Sequence, residues 1–513
     1  MSAPLRESLV AAVVGETRRF AGRELDPARD EREGRISPRA LSRARELGLF
    51  GLTIPEPWGG LGLSLAEASP VITELAERDR SFATTVGLHV GLGTRAIVEL
   101  ACDSLRDELL PELASGRALA AFAATEPCAG SDLSSIRTTL VERDGALRLS
   151  GEKCYVTNGG LASFATVLVR VPGDAGGAGF GLVLVPLDAR GVERGREEHK
   201  LGLRSSSTTT LRFDDVMLPL RHRLGRPGSG LADAQRALHW GRSLMSAGCI
   251  GTGRAALAAA WTHASLRMQF GRPLATFESV RSRLARMAVM LFAAERVVAR
   301  IGVAEARGDD LALASTVAKV VSSEAAFALA DDAIQVHGGA GFIEDTGVAR
   351  LLRDCRVTRI FEGANDVLRV HLGTRLLVAP RADRELITEH PRADVEAQRT
   401  ALVGALASMR TRLGARAARH QLALETLGRA RVALEIAFAT GAPDDDAPTV
   451  ARARANALAE VAASLDRLPH TEEDTEDDSA VLEALELRMR PFGAGSTTPR
   501  PFLGGAPERG ALA

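Results

Sequence analysis

From residue 1 to about 120 the apolar positions recur at helical spacing. The first twenty residues, MSAPLRESLVAAVVGETRRF, read as one amphipathic helix, and the proline- and glycine-dense TIPEPWGGLGLS (53–64) reads as a loop. Ser37 before Pro38 is an N-cap with proline in the first turn, and Gly48 suits the exit. Leu65–Arg80 and Ser81–Leu100 carry apolar patterns of helix length. Near residue 121 the period shortens. ALRLSGEKCYVT, ATVLVRV, GFGLVLVPL and SSSTTTLRFDDV (205–216) read as strands of a compact antiparallel β domain, with GDAGGAG as a hairpin tip. Long helices return from 225. Leu313, Val317, Val320, Phe327, Ala330 and Ile334 share one face, and Gly338-Gly339 ends that helix. Residues 379–394 read as a linker. Beyond it Leu402, Leu406, Met409 and Leu413, then Leu424, Leu427, Leu434 and Phe438, resume helical spacing. The acidic runs at 444–446 and 472–478 read as solvated, and the glycine- and proline-rich end as a tail. The predicted class is α+β: a helical domain (1–120), a β domain (121–222), a helical bundle (223–378), and a linker with a helical extension (379–513).

Composition narrows the function classes. A net charge of −1 over 513 residues excludes a nucleic-acid or anionic-membrane binder driven by total charge. Five scattered cysteines without a CxxC argue against a disulfide framework and against a structural metal. The N-terminus lacks the basic start and long apolar core of a signal peptide. The longest apolar run, 287–294, stops at Glu295, short of the roughly 20 residues that span a bilayer. These features predict a cytoplasmic protein without a resident metal. Only three of the 64 basic residues are lysines (Lys153, Lys200 and Lys319), a bias attributed at this level to genome composition.

Four segments carry candidate chemistry. In AFAATEPCAGSD (121–132) small residues admit a ligand to the backbone, and Thr125 and Ser131 can donate hydrogen bonds. In GEKCYVTNGG (151–160) Tyr155 and Thr157, two apart on a strand, can flank a planar heterocycle. In LRMQFGRP (266–273) Arg267 suits a phosphate and Phe270 a ring. In RDCRVTRIFEGAND (353–366) Glu362 lies between an Ile-Phe pair and a glycine. Apolar surroundings would raise its pKa and make it a base near neutral pH. Each segment alone also has an ordinary reading as a turn, a hairpin end, a solvated arginine or a surface glutamate.

Their order and spacing together resemble the acyl-CoA dehydrogenases over about residues 37–375, joined by LGLRSSSTTTLRFDDVMLP, QVHGGAGF and HWGR. The extension after the core is similar in placement to that of the very-long-chain branch. The resemblance implies an acyl-CoA dehydrogenase-like fold with FAD between the domains, and α,β-dehydrogenation of a medium- to very-long-chain acyl-CoA in β-oxidation. It implies that Phe122, Ala124, Thr125, Ser131, Tyr155, Val156 and Thr157 line the flavin, with Tyr155 where relatives usually carry tryptophan. Arg267, Phe270, Gln335 and Gly339 would reach the adenosine diphosphate part of FAD in a neighbouring subunit, so a homodimer is expected. Ala364, Asn365 and Asp366 would also belong to the cofactor site, although Ala364 replaces a usual hydroxyl and Glu278 a common glutamine. Glu362 would be the catalytic base, its own N–H helping to polarise the thioester. Ser131, His239, Trp240, Gly241, Arg242 and Gly363 would lie near the acyl-CoA. Gly241 matches the position where some branches place the base, which it cannot supply. The small Gly87, Gly91, Gly93 and Ala96 would leave room for a long tail. The expected electron acceptor is an electron-transfer flavoprotein. The extension is expected either to cover a tetramer surface or to touch a membrane peripherally. Competing readings are an oxidase that returns electrons to oxygen, a dehydrogenase of carrier-protein thioesters, and a non-catalytic assembly protein.

Overall fold

Ser64 starts the first long core helix with a reciprocal cap: its hydroxyl accepts from the Glu67 N–H, and the Glu67 carboxylate accepts from the Ser64 N–H. In this computed structural model, residues 3–172, 179–226, 228–378, 390–413, 420–441 and 447–468 are described. All but the last two belong to one compact unit, Met1–Asp466. The N-terminal part holds α1 (Ala3–Glu24), α2 (Pro27–Glu33), α3 (Pro38–Glu46), α4 (Leu65–Arg78) and α5 (Arg80–Leu88). Asp79 divides α4 from α5, its carboxylate accepting the Ser81 and Phe82 N–H groups at 2.9 and 3.1 Å. The expected single helix over 81–100 is instead three pieces: α5, a π-helical turn at His89–Gly93, and α6 (Thr94–Leu100). Crowding is the reason. A Cβ on Gly93 would lie 2.7 Å from the Ala120 carbonyl, and one on Gly91 3.0 Å from Leu244 Cδ1. Buried His89 pins the turn, bonding the Leu113 carbonyl through Nε2 and accepting the Ala120 N–H at Nδ1. Burial holds its pKa down to about 4, so the ring is neutral with the proton on Nε2. α7 (Asp103–Ala114) leads into the sheet.

The strands are β1 (Ala120–Ala123), β2 (Thr139–Arg143), β3 (Ala146–Thr157), β4 (Phe164–Val171), β5 (Gly179–Pro186), β6 (Val192–Arg194), β7 (Thr208–Pro219) and β8 (Arg223–Leu224). Their order is β6-β7-β3-β2-β4-β5-β8, with β1 on β4. The sheet is mixed, which corrects the antiparallel expectation. β1 enters from the helical layer and pairs parallel with β4, and β2 meets β4 in parallel at Thr139 and Arg170. β4 and β5 pair antiparallel as a hairpin would, while its tip, 173–178, lies outside the described residues.

The helical part that follows comprises α8 (Gly230–Leu266), the short β9 (Met268–Gln269) and β10 (Arg272–Pro273), α9 (Glu278–Arg307), α10 (Leu311–His337), α11 (Gly339–Phe342), α12 (Val348–Arg356) and α13 (Asn365–Val378). α10 is long and apolar enough to cross a membrane by length and composition, which the search for one unbroken apolar run missed. Its burial among α8 and α9 is that of a core helix. Three more helices, α14 (Ala393–Leu413), α15 (Gln421–Ala439) and α16 (Pro448–Asp466), bury Leu402, Leu406, Met409, Leu424, Leu427 and Leu434 as expected. α15 lies so close to α13 that only glycine fits: a Cβ on Gly373 would stand 1.9 Å from the Leu424 carbonyl, and one on Gly428 1.9 Å from that of Arg369. The Leu413 side chain, most of the expected linker, both acidic runs and the tail lie outside the described residues.

Candidate active site

The β1-to-β2 loop and the end of β3 form one wall of a cavity of about 870 Å³, and α5, α8, α10, α13 and the segment before α13 form most of the rest, with Ile72 from α4. A buried ion pair shapes the first wall. Lys153, wholly buried on β3, donates to the Glu126 carboxylate at 2.8 Å and to the Ala124 carbonyl at 3.0 Å. The same carboxylate accepts the backbone N–H groups of Arg137 and Thr138. With its negative charge satisfied on all sides, Glu126 stays ionised although burial opposes this. The loop Ala124–Ser131 is thereby closed on itself, and Phe122, Ala124, Thr125, Gly130 and Ser131 face the cavity.

Tyr155 and Thr157 also line it, as the period-two pattern suggested, yet β3 is irregular there. Tyr155 has φ +56° at a bulge and is 59% exposed, a cost of about 1–2 kcal/mol for a residue with a Cβ. Val156 turns the other way into the sheet core, so only its backbone can meet a ligand in the cavity.

Glu362 stands on the opposite wall. It has φ +54° and is followed by Gly363 at φ +101°, so two successive residues are left-handed. Two cations hold this turn by its carbonyls. Arg242 Nε donates to the Glu362 oxygen at 2.9 Å, and Lys319 Nζ donates to the Gly363 oxygen at 2.7 Å. Gly241 is what lets the carboxylate lie against α8: a Cβ there would stand 3.1 Å from Glu362 Oε2. That oxygen is shut off from solvent and has no hydrogen-bond partner among the described residues. Burial pushes the Glu362 pKa up to about 7, while Arg242, Lys319 and Arg80 pull it back. The backbone N–H of Glu362 makes no hydrogen bond within the described structure, as a group reserved for a ligand would. His239 lines the cavity too, held neutral by burial at a pKa of about 4.

Several expected site residues lie elsewhere. The Trp240 indole turns from the cavity and packs under the Arg95 guanidinium, 3.7 Å from the ring centroid, because successive helical residues face different sides. Asn365 is buried in the bundle, where it accepts from Lys319 at 2.6 Å and donates to Ser323 and Glu324. Asp366 sits exposed beside Arg369, and neither it nor Ala364 lines the cavity. Gly91 and Gly93 serve close packing and Ala96 is core, so of the four small residues only Gly87 opens on the cavity. Arg267, Phe270, Gln335 and Gly339 are exposed outside this cavity. Arg267 borders a second hollow of about 640 Å³ with His263 and His337, whose rings lie 4.2 Å apart. Sequence reasoning missed Arg80, Glu126, Lys153 and Lys319.

Known proteins share this fold. Models of three domains of one family match in order: acyl-CoA dehydrogenase N-terminal domain over 11–117, middle domain over 121–216 and C-terminal domain over 228–377. The chain belongs to the acyl-CoA dehydrogenase family. It is 36% identical over 366 residues to the mitochondrial very long-chain specific acyl-CoA dehydrogenase of Mus musculus, covering 70% of this chain and 56% of that protein. It thus spans about half the length of that curated relative. An acyl-CoA dehydrogenase of Bacillus subtilis is 35% identical over 362 residues, 70% of this chain and 96% of that protein. The solved acyl-CoA dehydrogenase of Bacillus anthracis complexed with FAD superposes with a TM-score of 0.81 at 26% identity. That likeness covers 94% of this chain and 92% of the other, so it extends into the part beyond residue 390.

Proposed function

We propose that the protein is a flavin-dependent acyl-CoA dehydrogenase, converting a medium- to very-long-chain acyl-CoA to the trans-2-enoyl-CoA within fatty acid β-oxidation. One observation carries this reading: a solvent-excluded, unpartnered carboxylate oxygen of Glu362 faces a large cavity whose other wall presents Phe122, Thr125, Ser131, Tyr155 and Thr157.

Those five residues, with the Val156 backbone, fit a flat heterocycle with polar edges, and would hold the flavin of FAD. FAD supplies the two-electron acceptor for the β-hydrogen. The remaining work belongs to the chain. Glu362 takes the α-proton onto Oε2, the oxygen that has no other bond to break. Charge that develops on the thioester oxygen is met by the free Glu362 N–H. Arg242 and Lys319 fix that N–H and the carboxylate together, since both grip the turn that carries them. Apolar Ile72, Leu92, Leu244 and Phe361 keep water from the reacting carbons. Arg267, Phe270, Gln335 and Gly339, exposed at one end of the bundle, would serve the FAD of a second subunit in a homodimer. An electron-transfer flavoprotein would reoxidise the reduced enzyme.

Anaerobic addition of butyryl-, octanoyl- and palmitoyl-CoA to the flavin-loaded enzyme tests the proposal. Prompt bleaching of the oxidised-flavin absorbance by one of them is expected; a bound flavin that none of them bleaches would refute it.

A further inference from the structure

Arg80, the first residue of α5, is 4% exposed and lines the cavity on the same helical face as Ala83, Thr84, Gly87 and Leu88. Its Nη2 donates to the Met245 carbonyl at 3.2 Å and to Cys249 Sγ at 3.7 Å. Its Nε–H has no acceptor among the described residues. Among the described residues the other two buried arginines are matched to carboxylates: Arg431 to Glu435, and Arg454 to Asp394 at 3.2 Å. Arg80 has no such match. Neighbouring Asp79 caps α5 through Oδ1, and its buried Oδ2 makes no hydrogen bond to Arg80 or to any other described residue. A buried guanidinium with no carboxylate in contact is costly, and an N–H left without an acceptor at the cavity wall points to a group supplied from outside, although Glu362 lies near enough to feel its charge.

The fold makes room for the guanidinium. A Cβ on Gly248 would lie in collision with Arg80 Nη1, so α8 carries glycine where the cation rests. The wall around it is otherwise apolar: Ile72, Ala83, Leu244 and Met245. An alkyl tail fills such a wall and leaves the cation unpaired. A tail that ends in a carboxylate fills it and pairs the cation.

Resting on the dehydrogenase reading above, we propose that Arg80 is a specificity-determining residue that selects acyl thioesters whose far end carries a carboxylate. The helix gives the length. Met245 and Gly248 lie four and seven residues along α8 from Gly241, where Glu362 would take the α-proton. That is about 6–10 Å of helix rise, or roughly five to eight bonds of extended chain at about 1.2 Å each. The substrates are therefore monothioesters of α,ω-dicarboxylic acids of about seven to ten carbons.

The test compares kcat/KM of the flavin-loaded enzyme for octanedioyl-CoA against octanoyl-CoA, and decanedioyl-CoA against decanoyl-CoA, with an artificial electron acceptor. The diacid is expected to win by tenfold or more at one of the two lengths. In Arg80→Met the diacid-to-monoacid ratio is expected to fall at least tenfold, and Arg80→Lys to retain part of it. A wild-type enzyme that prefers the monoacid at both lengths overturns the inference while leaving the dehydrogenase reading intact. So does an Arg80→Met enzyme that loses both substrates in equal proportion, the result if Arg80 only tunes Glu362. Turnover of no thioester at all overturns both readings.

Discussion

Glu362 is a carboxyl group on which two large effects oppose one another. Burial raises its pKa, and the nearby Arg242, Lys319 and Arg80 lower it, leaving it at about 7. A base must be ionised to accept a proton, so kcat/KM should rise about tenfold per pH unit up to about 7 and level above it. Glu362→Gln should abolish the limb and cut turnover about 10²–10⁴-fold while flavin stays bound. The same shift has a stability consequence. The folded protein holds this proton more tightly than the unfolded chain, so the group favours folding below its ordinary value of 4.5 and this contribution is lost as pH rises through about 7. Glu362→Gln should therefore melt higher than wild type at pH 8, with the gap closing towards pH 5. An enzyme with an acid limb near 4.5, or a variant with undiminished turnover, would remove Glu362 from the role of base. Glu362 was legible as a candidate in the sequence through the order of its segment among the others rather than by itself, since a lone glutamate is usually a surface residue. Its holders were not. The signal was there in the lysines: the chain uses arginine almost everywhere, and two of its three lysines, Lys153 and Lys319, are completely buried. A slim ammonium with three freely rotating donors fits where a planar guanidinium does not. Nothing in one sequence distinguishes that from genome composition.

The loop between β1 and β2 and the bulged end of β3 present the cavity's flat-ligand wall, and neither would hold its shape through strand pairing alone. Between Lys153 and Val156 the register of β3 against β7 shifts, so ladder bonds are lost where Tyr155 turns outwards. The Glu126–Lys153 pair substitutes for them by tying loop to strand. Both groups are buried, so cutting one partner leaves the other uncompensated. Lys153→Met should cost about 3–5 kcal/mol, read as a lower urea midpoint, and should weaken flavin retention more than Arg212→Ala, which removes an exposed pair on the same sheet. Equal effects of the two substitutions would mean that the pair does not shape the wall. Long regular elements were the legible ones: the long helices from residue 225 and the strands β3 and β7, with β4 and β5 standing out as apolar runs buried on both faces. The π turn in the 81–100 segment and the parallel β1–β4 pairing were not, since both answer to partners far along the chain (Ala120, Leu244 and Leu119) rather than to local pattern.

Over the whole molecule the helices beyond residue 390 do more than lengthen the chain. α13 begins two residues after Gly363, and its first residue, Asn365, shares Lys319 with the catalytic turn. Further along, α13 is pressed to α15 at Arg369 and Gly373, against Gly428 and Leu424, backbone against backbone. α15 is tied in turn to α9 by Arg300, which lies 2.8 Å from Glu435, a buried carboxylate that also pairs with Arg431 one turn earlier on α15. A displacement of α15 therefore passes through α13 to the Glu362 turn and to Val367, Leu368, His371 and Arg375, which line the cavity from α13. Gly428→Leu would drive a side chain into the Arg369 carbonyl, and overpacking of this kind typically costs about 1–3 kcal/mol. The expected result is a folded, flavin-binding enzyme with a lower melting temperature and a kcat reduced at least tenfold. KM should change less, because the binding wall on the sheet is untouched. Gly404→Ala on α14 is the control, since a Cβ there meets nothing within 4 Å. If Gly428→Leu destabilised the protein yet left kcat at the wild-type level, α15 would be a passive cover, and the catalytic turn would owe its geometry to Arg242 and Lys319 alone.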